Sequence, residues 1–193
     1  MNTHGVDTEE LEKAVCTILR AIGEDPEREG LKGTPERVIR MWKEIYRGYD
    51  AENAPAITTF DNEEGMSEMV FDSGDFYSMC EHHMMPFFGQ YYFAYMPSPE
   101  GRILGISKIA RVVGFCAARL QLQERLASDI LDMLENALEG KVAGLAIVLK
   151  GQHMCKTMRG VKNKGNMCVS LFRGAFKEQS SLREEFYHLV AMN

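Results

Sequence analysis

The chain lacks the features that mark several large classes of protein. Acidic residues outnumber basic ones and give a formal net charge of −6, so there is no basic excess of the kind that binds nucleic acid. No segment is long and apolar enough to cross a bilayer, and residues 1–5 lack the basic and apolar regions of a signal peptide. We therefore predict a cytoplasmic protein that binds neither nucleic acid nor membrane.

Cysteine is scarce, and its odd number argues against a disulfide framework. The five cysteines follow no framework spacing, and in a reducing compartment they are expected to be metal ligands or core thiols. Cys16, Cys116 and Cys168 are predicted to be plain structural residues. Internal repeats and low-complexity tracts are also missing. With 193 residues, 45% of them hydrophobic, the chain can bury one sizeable core.

The first third of the chain has the pattern of two amphipathic helices. Thr8 can cap the first, whose apolar stripe ends near Gly23, and Thr34-Pro35 is a typical start for the second. The loop at 48–55 is the only credible internal boundary. We predict a helical arm over residues 1–50 and a second domain over residues 51–193.

The rest of the chain predicts an α+β fold, with helices packed on an antiparallel sheet. A C-terminal helix is expected from Ser181, and aromatic and β-branched segments predict strands at 57–60, 69–71, 76–79, 87–96, 142–149 and 167–176. A helical stretch covers 107–138, but Gln123 and Glu124 interrupt its apolar stripe. We infer a break near 120–122, which places both residues at the start of a second helix, where a carboxylate is favoured.

Two thiols and three imidazoles carry the strongest chemical signal. Cys80 and His83 have a spacing that lets one turn present sulfur and nitrogen to a metal, and this motif is expected between two strands. If the strand at 142–149 continues, His153 and Cys155 point to the same face. With Cys80, His83 and Cys155 as ligands, the fourth position is left to water, and His82 and His153 are free as acid/base groups.

Other interpretations of these residues stay open. The count of candidate ligands fits a closed structural zinc site with four protein ligands. Buried thiols and core histidines without any metal are a further alternative. A zinc nucleobase deaminase is disfavoured, because its His-x-Glu and Cys-x-x-Cys patterns are absent.

Four separate motifs resemble GTP cyclohydrolase I, and their order and spacing agree from about Thr8 to the end. They are SMCEHH with PFFG at 78–83 and 86–89, LGISKIAR at 104–111, QLQERL at 121–126, and HMC with MRGV at 153–155 and 158–161. The resemblance implies a tunnelling fold, in which subunits pair their antiparallel sheets into a barrel. It also implies a homo-oligomer, usually a decamer, that converts GTP and water to 7,8-dihydroneopterin triphosphate and formate in the first step toward folate and related pterins.

The resemblance also assigns roles to residues. Cys80, His83 and Cys155 would hold Zn²⁺, and His82 and His153 would transfer protons. The residues expected to contact GTP are Ser107, Lys108, Arg111 and Arg159 at the ribose and triphosphate, Gln123 and Glu124 at the guanine, and Arg37 and Arg40 at the triphosphate of a neighbouring site.

The chain departs from the family pattern at two places. Residues 166–170 (NMCVS) stand where members commonly carry several threonines and serines, so the hydroxyl contacts there are reduced to Ser170. Position 40 is arginine where lysine is frequent, which keeps the charge and changes its geometry. Two other functions remain as alternatives. One is a nitrile reductase of the same fold, which works without zinc and is therefore disfavoured by the intact set of Cys80, His83 and Cys155. The other is a non-catalytic, zinc-stabilised assembly, which is disfavoured because a structural role requires neither His82 nor His153 to be free.

Overall fold

The structure, a computed structural model, describes residues 7–193 in two compact units. The first unit ends at Asn53 and the second runs from Ala54 to Asn193. This division lies close to the predicted boundary after residue 50. Residues 1–5, in which the sequence has no signal-peptide pattern, lie outside the described residues.

The first unit is helical. Helix α1 spans Thr8–Ala21 and helix α2 spans Thr34–Ile45, followed by short 3-10 turns. Asp7 occupies the N-cap position of α1, and no side chain makes a capping bond there, so the predicted Thr8 cap is wrong. Pro35 lies in the first turn of α2, where its missing N–H costs no helical hydrogen bond.

The second unit contains the sheet. Its elements in chain order are β1 (Thr59–Asp61), β2 (Val70–Cys80), β3 (Met85–Pro97), β4 (Arg102–Leu104), α3 (Ile106–Ala117), β5 (Leu120–Gln121), α4 (Gln123–Ala137), β6 (Val142–His153), α5 (Met154–Thr157), β7 (Met167–Gly174), α6 (Ala175–Glu178) and α7 (Ser180–Met192). Within the described chain, the main sheet has the order β5-β2-β3-β6-β7, and β1 pairs separately with β4. Every pairing is antiparallel except that of the short β5 with β2.

Alternation along the central strands divides the apolar residues between two cores. Phe93 and Ile147 face one core, to which α3 and α4 contribute Val113 and Leu126. The intervening residues face a second core, to which α7 contributes Phe186. The predicted α+β class, with helices packed on a largely antiparallel sheet, is confirmed, and it is the subunit architecture that a tunnelling fold requires.

Two boundary predictions have different outcomes. The inferred break near 120–122 is confirmed, because β5 separates α3 from α4 and Gln123 begins α4. The strands predicted at 69–71 and 76–79 are instead one strand, β2. Gly74, which lies between the two predicted segments, leaves room for the Tyr91 ring: a β-carbon there would lie 2.9 Å from its nearest ring carbon.

The helices were also compared with the requirements of a membrane span. Among residues 7–193, none of the helices combines the length and the apolar character that crossing a bilayer requires.

Candidate active site

The Cys-Glu-His-His motif forms the tight turn between β2 and β3, as predicted. Cys80 is the last residue of β2, and its carbonyl accepts a hydrogen bond of 2.8 Å from the N–H of Met84. Met84 has a positive φ of 50°, which closes the turn. Cys80 is buried, whereas His82 and His83 are exposed. The turn therefore presents one sulfur inward and two imidazoles to solvent.

The second half of the site is built where β6 ends. His153 is the last residue of β6, and Cys155 lies in the short helix α5. The expectation that a continuing strand puts both side chains on one face is wrong, because the chain turns into a helix at Met154. The helical turn nevertheless brings Cys155 Sγ to 3.8 Å from Cys80 Sγ.

Three of the five predicted groups converge on one point, and a fourth, His83, lies beside Cys80. The ligand atoms of Cys80, His153 and Cys155 all lie within 4.8 Å of one another, and His83 Nδ1 lies 3.9 Å from Cys80 Sγ. Two sulfurs and an imidazole nitrogen are a donor set that suits zinc. The imidazole of His153 is thus within reach of both thiols, whereas that of His83 lies next to the Cys80 thiol.

The two thiols influence each other. Burial, and then the neighbouring Cys80 thiol, raise the pKa of Cys155. Metal binding would require both thiols to lose their protons, so a cation placed between them would reverse this tendency.

His153 is held on two sides. Its ring stacks on Phe87, with the ring centroids 4.5 Å apart and the planes 5° from parallel. Its Nε2 lies 2.9 Å from Gln123 Oε1. Burial lowers the pKa of His153, and the carboxylate of Glu124 acts in the opposite direction. The neutral ring is therefore favoured, in a fixed orientation.

Gln123 lies beneath this ring instead of on an open surface. Only 1% of the residue is exposed. Its Nε2 donates to the carbonyl oxygens of Leu149 at 2.9 Å and Met167 at 3.0 Å. Both the amide nitrogen and the amide oxygen of Gln123 thus have partners inside the protein. The prediction that Gln123 contacts guanine did not include these bonds.

A charged pair ties the exposed turn to helix α4. Arg125 Nη2 donates to a carboxylate oxygen of Glu81, and the same nitrogen donates to the carbonyl of Leu120 at 3.1 Å. Glu81 follows Cys80 directly, so this pair connects the turn between β2 and β3 to the helix that carries Glu124.

The remaining predicted contacts lie on separate elements. Ser107, Lys108 and Arg111 occupy the first part of α3; Ser107 and Arg111 are exposed, and Lys108 is half-buried. Glu124 is exposed in the first turn of α4. Arg159 is exposed just after α5, near enough to Cys155 to lower its pKa slightly against the larger effect of burial.

Arg37 and Arg40 belong to the helical unit. Both lie on α2, and Arg40 Nη1 is 3.5 Å from Glu36 Oε1 at a solvent-exposed position. Their predicted role at a neighbouring site stays a prediction.

Comparison with known proteins agrees with the motifs. The family model described as GTP cyclohydrolase I matches residues 11–191. The chain belongs to the GTP cyclohydrolase I family. It is 45% identical over 186 residues to GTP cyclohydrolase 1 of Caldanaerobacter subterraneus subsp. tengcongensis, covering 96% of this chain and 97% of that protein. The enzyme of the same name from Aquifex aeolicus is 45% identical over 187 residues, with the same coverage of both chains.

Solved structures give a more distant likeness. The apo archaeosine synthase QueF-Like matches with a TM-score of 0.43 and 18% identity, over 55% of this chain and 94% of that one. At that level the match carries no argument about chemistry, and family membership rests on the sequence relatives.

Within this GTP cyclohydrolase I chain, sequence reasoning missed some supporting residues. Phe87 was assigned only to a strand, although it lies directly opposite His153 in the β3–β6 register. The Glu81–Arg125 pair was also missed. A signal for the pair was available, since Glu81 and Arg125 belong to two of the motifs that carry the family resemblance.

Proposed function

We propose that this protein is a zinc-dependent GTP cyclohydrolase I of the cytoplasm. It would convert GTP and water to 7,8-dihydroneopterin triphosphate and formate, the first step of folate and pterin biosynthesis. The observation that carries the proposal is the convergence of Cys80, Cys155 and His153 at one point, with His83 beside Cys80, in a chain that belongs to this enzyme family.

Cys80, His83 and Cys155 are the proposed ligands of the metal. Zinc bound there would act as a Lewis acid and activate water near neutral pH, as the slow attack on a purine ring requires. His83 stays the proposed third ligand on its motif spacing, and His153, whose ligand atom lies within 4.8 Å of those of Cys80 and Cys155, is the alternative. The pairing of His83 with the turn that carries Cys80 matches ordinary zinc-ligand spacing.

His82 and His153 are the proposed proton-transfer groups. Protonation at N7 of guanine makes C8 electrophilic and favours ring opening. A histidine with an ordinary pKa of about 6.5 can give and take back such a proton. Burial lowers the pKa of His153, so its protonated ring gives up a proton more readily than an ordinary imidazolium and its neutral ring is the weaker base.

The proposed substrate contacts supply charge and base recognition. The chain is acidic overall, so the triphosphate needs a local basic field, which we assign to Lys108, Arg111 and Arg159 together with the Ser107 hydroxyl. Glu124 would accept from N1–H and the exocyclic amino group of guanine. Its effect on the pKa of His153 supports a position close to the reacting ring.

The proposed assembly is a homodecamer with active sites shared between subunits. On its edge away from β3, strand β2 pairs only at Met79 and Cys80, with β5, within residues 7–193, and such open sheet edges must be covered or paired. Light scattering should report a particle of about ten chains at micromolar concentration. An active monomer would contradict this part of the proposal.

The decisive experiment is a direct assay. The purified protein is incubated with GTP, and the products are examined for formate and for a pterin that becomes fluorescent on oxidation. Both products are expected in equal amounts. GTP returned unchanged by metal-replete protein would refute the proposed activity.

A further inference from the structure

We propose that Gln123 is a positioning residue, which holds the His153 ring in one tautomer and one orientation instead of contacting guanine. The inference rests on the proposed function for its kinetic consequence, while its geometric basis lies entirely in this chain.

The orientation of the Gln123 amide is fixed by its neighbours. The side-chain nitrogen lies 2.9 Å from the carbonyl oxygen of Leu149 and 3.0 Å from that of Met167. If the amide were flipped, its oxygen would face two other acceptors in a buried site, which is unfavourable. The amide oxygen must therefore be the atom that faces His153.

The amide orientation determines which ring nitrogen carries the hydrogen. An amide oxygen can only accept, so the 2.9 Å contact requires His153 Nε2 to donate. In the neutral ring this leaves a lone pair on Nδ1. The parallel stack on Phe87 fixes the ring plane, and the bond to Gln123 fixes its rotation within that plane.

Gly151 of β6 leaves room for the Gln123 amide. A β-carbon at Gly151 would lie 2.8 Å from Gln123 Oε1 and 3.1 Å from the Phe76 ring. Glycine at this position of β6 therefore leaves the space that the amide oxygen occupies. A larger residue would push the oxygen away from His153.

The same burial argues against contact with substrate. Gln123 is 1% exposed, and its nitrogen and oxygen are all engaged within the protein. The neighbouring Glu124 is exposed and remains the candidate for reading guanine.

A matched pair of variants tests the inference. Gln123→Met removes the bond to His153 and keeps the side-chain volume. Gln121→Met is the control, because Gln121 is also 1% exposed and bonds to the Cys116 carbonyl, Asp129 and Arg125, but to no imidazole. Both variants should lose thermal stability, and both should keep one zinc per chain.

The kinetic constants should separate the two variants. For Gln123→Met we expect kcat to fall about ten- to a hundred-fold, the effect of a misplaced reacting group, with KM for GTP within about two-fold. The preference for GTP over inosine triphosphate should be kept, and Gln121→Met should keep kcat within about three-fold. Gly151→Ala, which displaces the amide oxygen without changing Gln123, should lower kcat in the same direction.

Two kinetic results would overturn the inference. A raised KM, unchanged kcat and lost preference for GTP would make Gln123 a guanine contact. An equal loss of kcat in Gln121→Met would make its role merely structural.

Crystal structures of wild type and Gln123→Met provide a readout that does not depend on activity. The inference requires the His153 ring to leave its wild-type orientation in the variant, and an unchanged ring would overturn it. Wild-type protein that does not convert GTP would refute the proposed function, and the comparison of ring orientations would still decide the role of Gln123.

Discussion

The two halves of the metal-site region are held in different ways. The turn after β2 carries His82 and His83 on an exposed surface, where the Glu81–Arg125 pair ties it to α4. The end of β6 carries His153, which is packed on Phe87 and bonded to buried Gln123. The protein alone thus orients one imidazole firmly and leaves the other two on the exposed turn. Under the proposed roles, a bound metal would fix His83, whereas contacts within the protein already orient His153.

The largest expected effect comes from removing the sulfur that joins the two halves. Cys155→Ala should abolish both zinc binding and activity, because Cys155 is the only proposed ligand supplied by the β6 side. Metal analysis and the GTP assay measure the two losses. Cys168→Ala removes an exposed thiol on β7 and should change neither. Full zinc occupancy in Cys155→Ala would remove it from the ligand set.

Replacing each of the two candidate imidazoles by alanine tests whether His83 or His153 binds the metal. His153→Ala should keep zinc and GTP affinity and lose kcat by about 10²- to 10⁴-fold, the usual contribution of a proton-transfer group. His83→Ala should lose zinc. Metal content and kinetics of both variants decide the assignment. If His153→Ala loses the metal and His83→Ala keeps it, His153 is the third ligand.

A smaller effect is expected at the guanine contact. Glu124→Gln places a hydrogen-bond donor opposite a donor of guanine. The preference of the enzyme for GTP over inosine triphosphate should therefore shrink about ten- to a hundred-fold. Ratios of kcat/KM for the two nucleotides provide the measurement. Glu135→Gln, farther along the same helix, should keep the wild-type ratio. An unchanged ratio in Glu124→Gln would show that guanine is read elsewhere.

The smallest effect concerns stability and pH. Burial lowers the pKa of His153 in the folded state, so the unfolded chain binds a proton first as pH falls. The contribution of neutral His153 to the free energy of unfolding is complete above the unfolded pKa of about 6.5, and it is lost as the pH falls toward the lower pKa of the folded state. Metal-free wild type should lose more stability between pH 7.5 and 5 than metal-free His153→Phe.

Urea unfolding at several pH values provides this measurement. If the free energy of unfolding falls equally with pH in wild type and His153→Phe, burial of His153 does not cause the predicted pH dependence.

Much of the fold was predictable because its signals are local. The first turn of α2 is marked by Thr34-Pro35, and the interruption of the apolar stripe at Gln123 and Glu124 predicted the separation of α3 from α4. The prediction of two strands at 69–71 and 76–79 was wrong, because Gly74 between them continues β2 and makes room for Tyr91 of the next strand. A neighbour that is distant in sequence leaves no trace in the local pattern.

The sequence by itself determined the family and the candidate groups of the site. Spacing and residue type singled out Cys80, His82, His83, His153 and Cys155, and the four motifs identified the family, because residue type and order along the chain need no tertiary structure to be seen. Only the tertiary structure decided how these groups are held. The stack of Phe87 on His153 and the engagement of the Gln123 amide with β6 and β7 depend on strand register and burial. Those quantities arise from the whole sheet, so they bring together residues whose separation along the chain carries no signal.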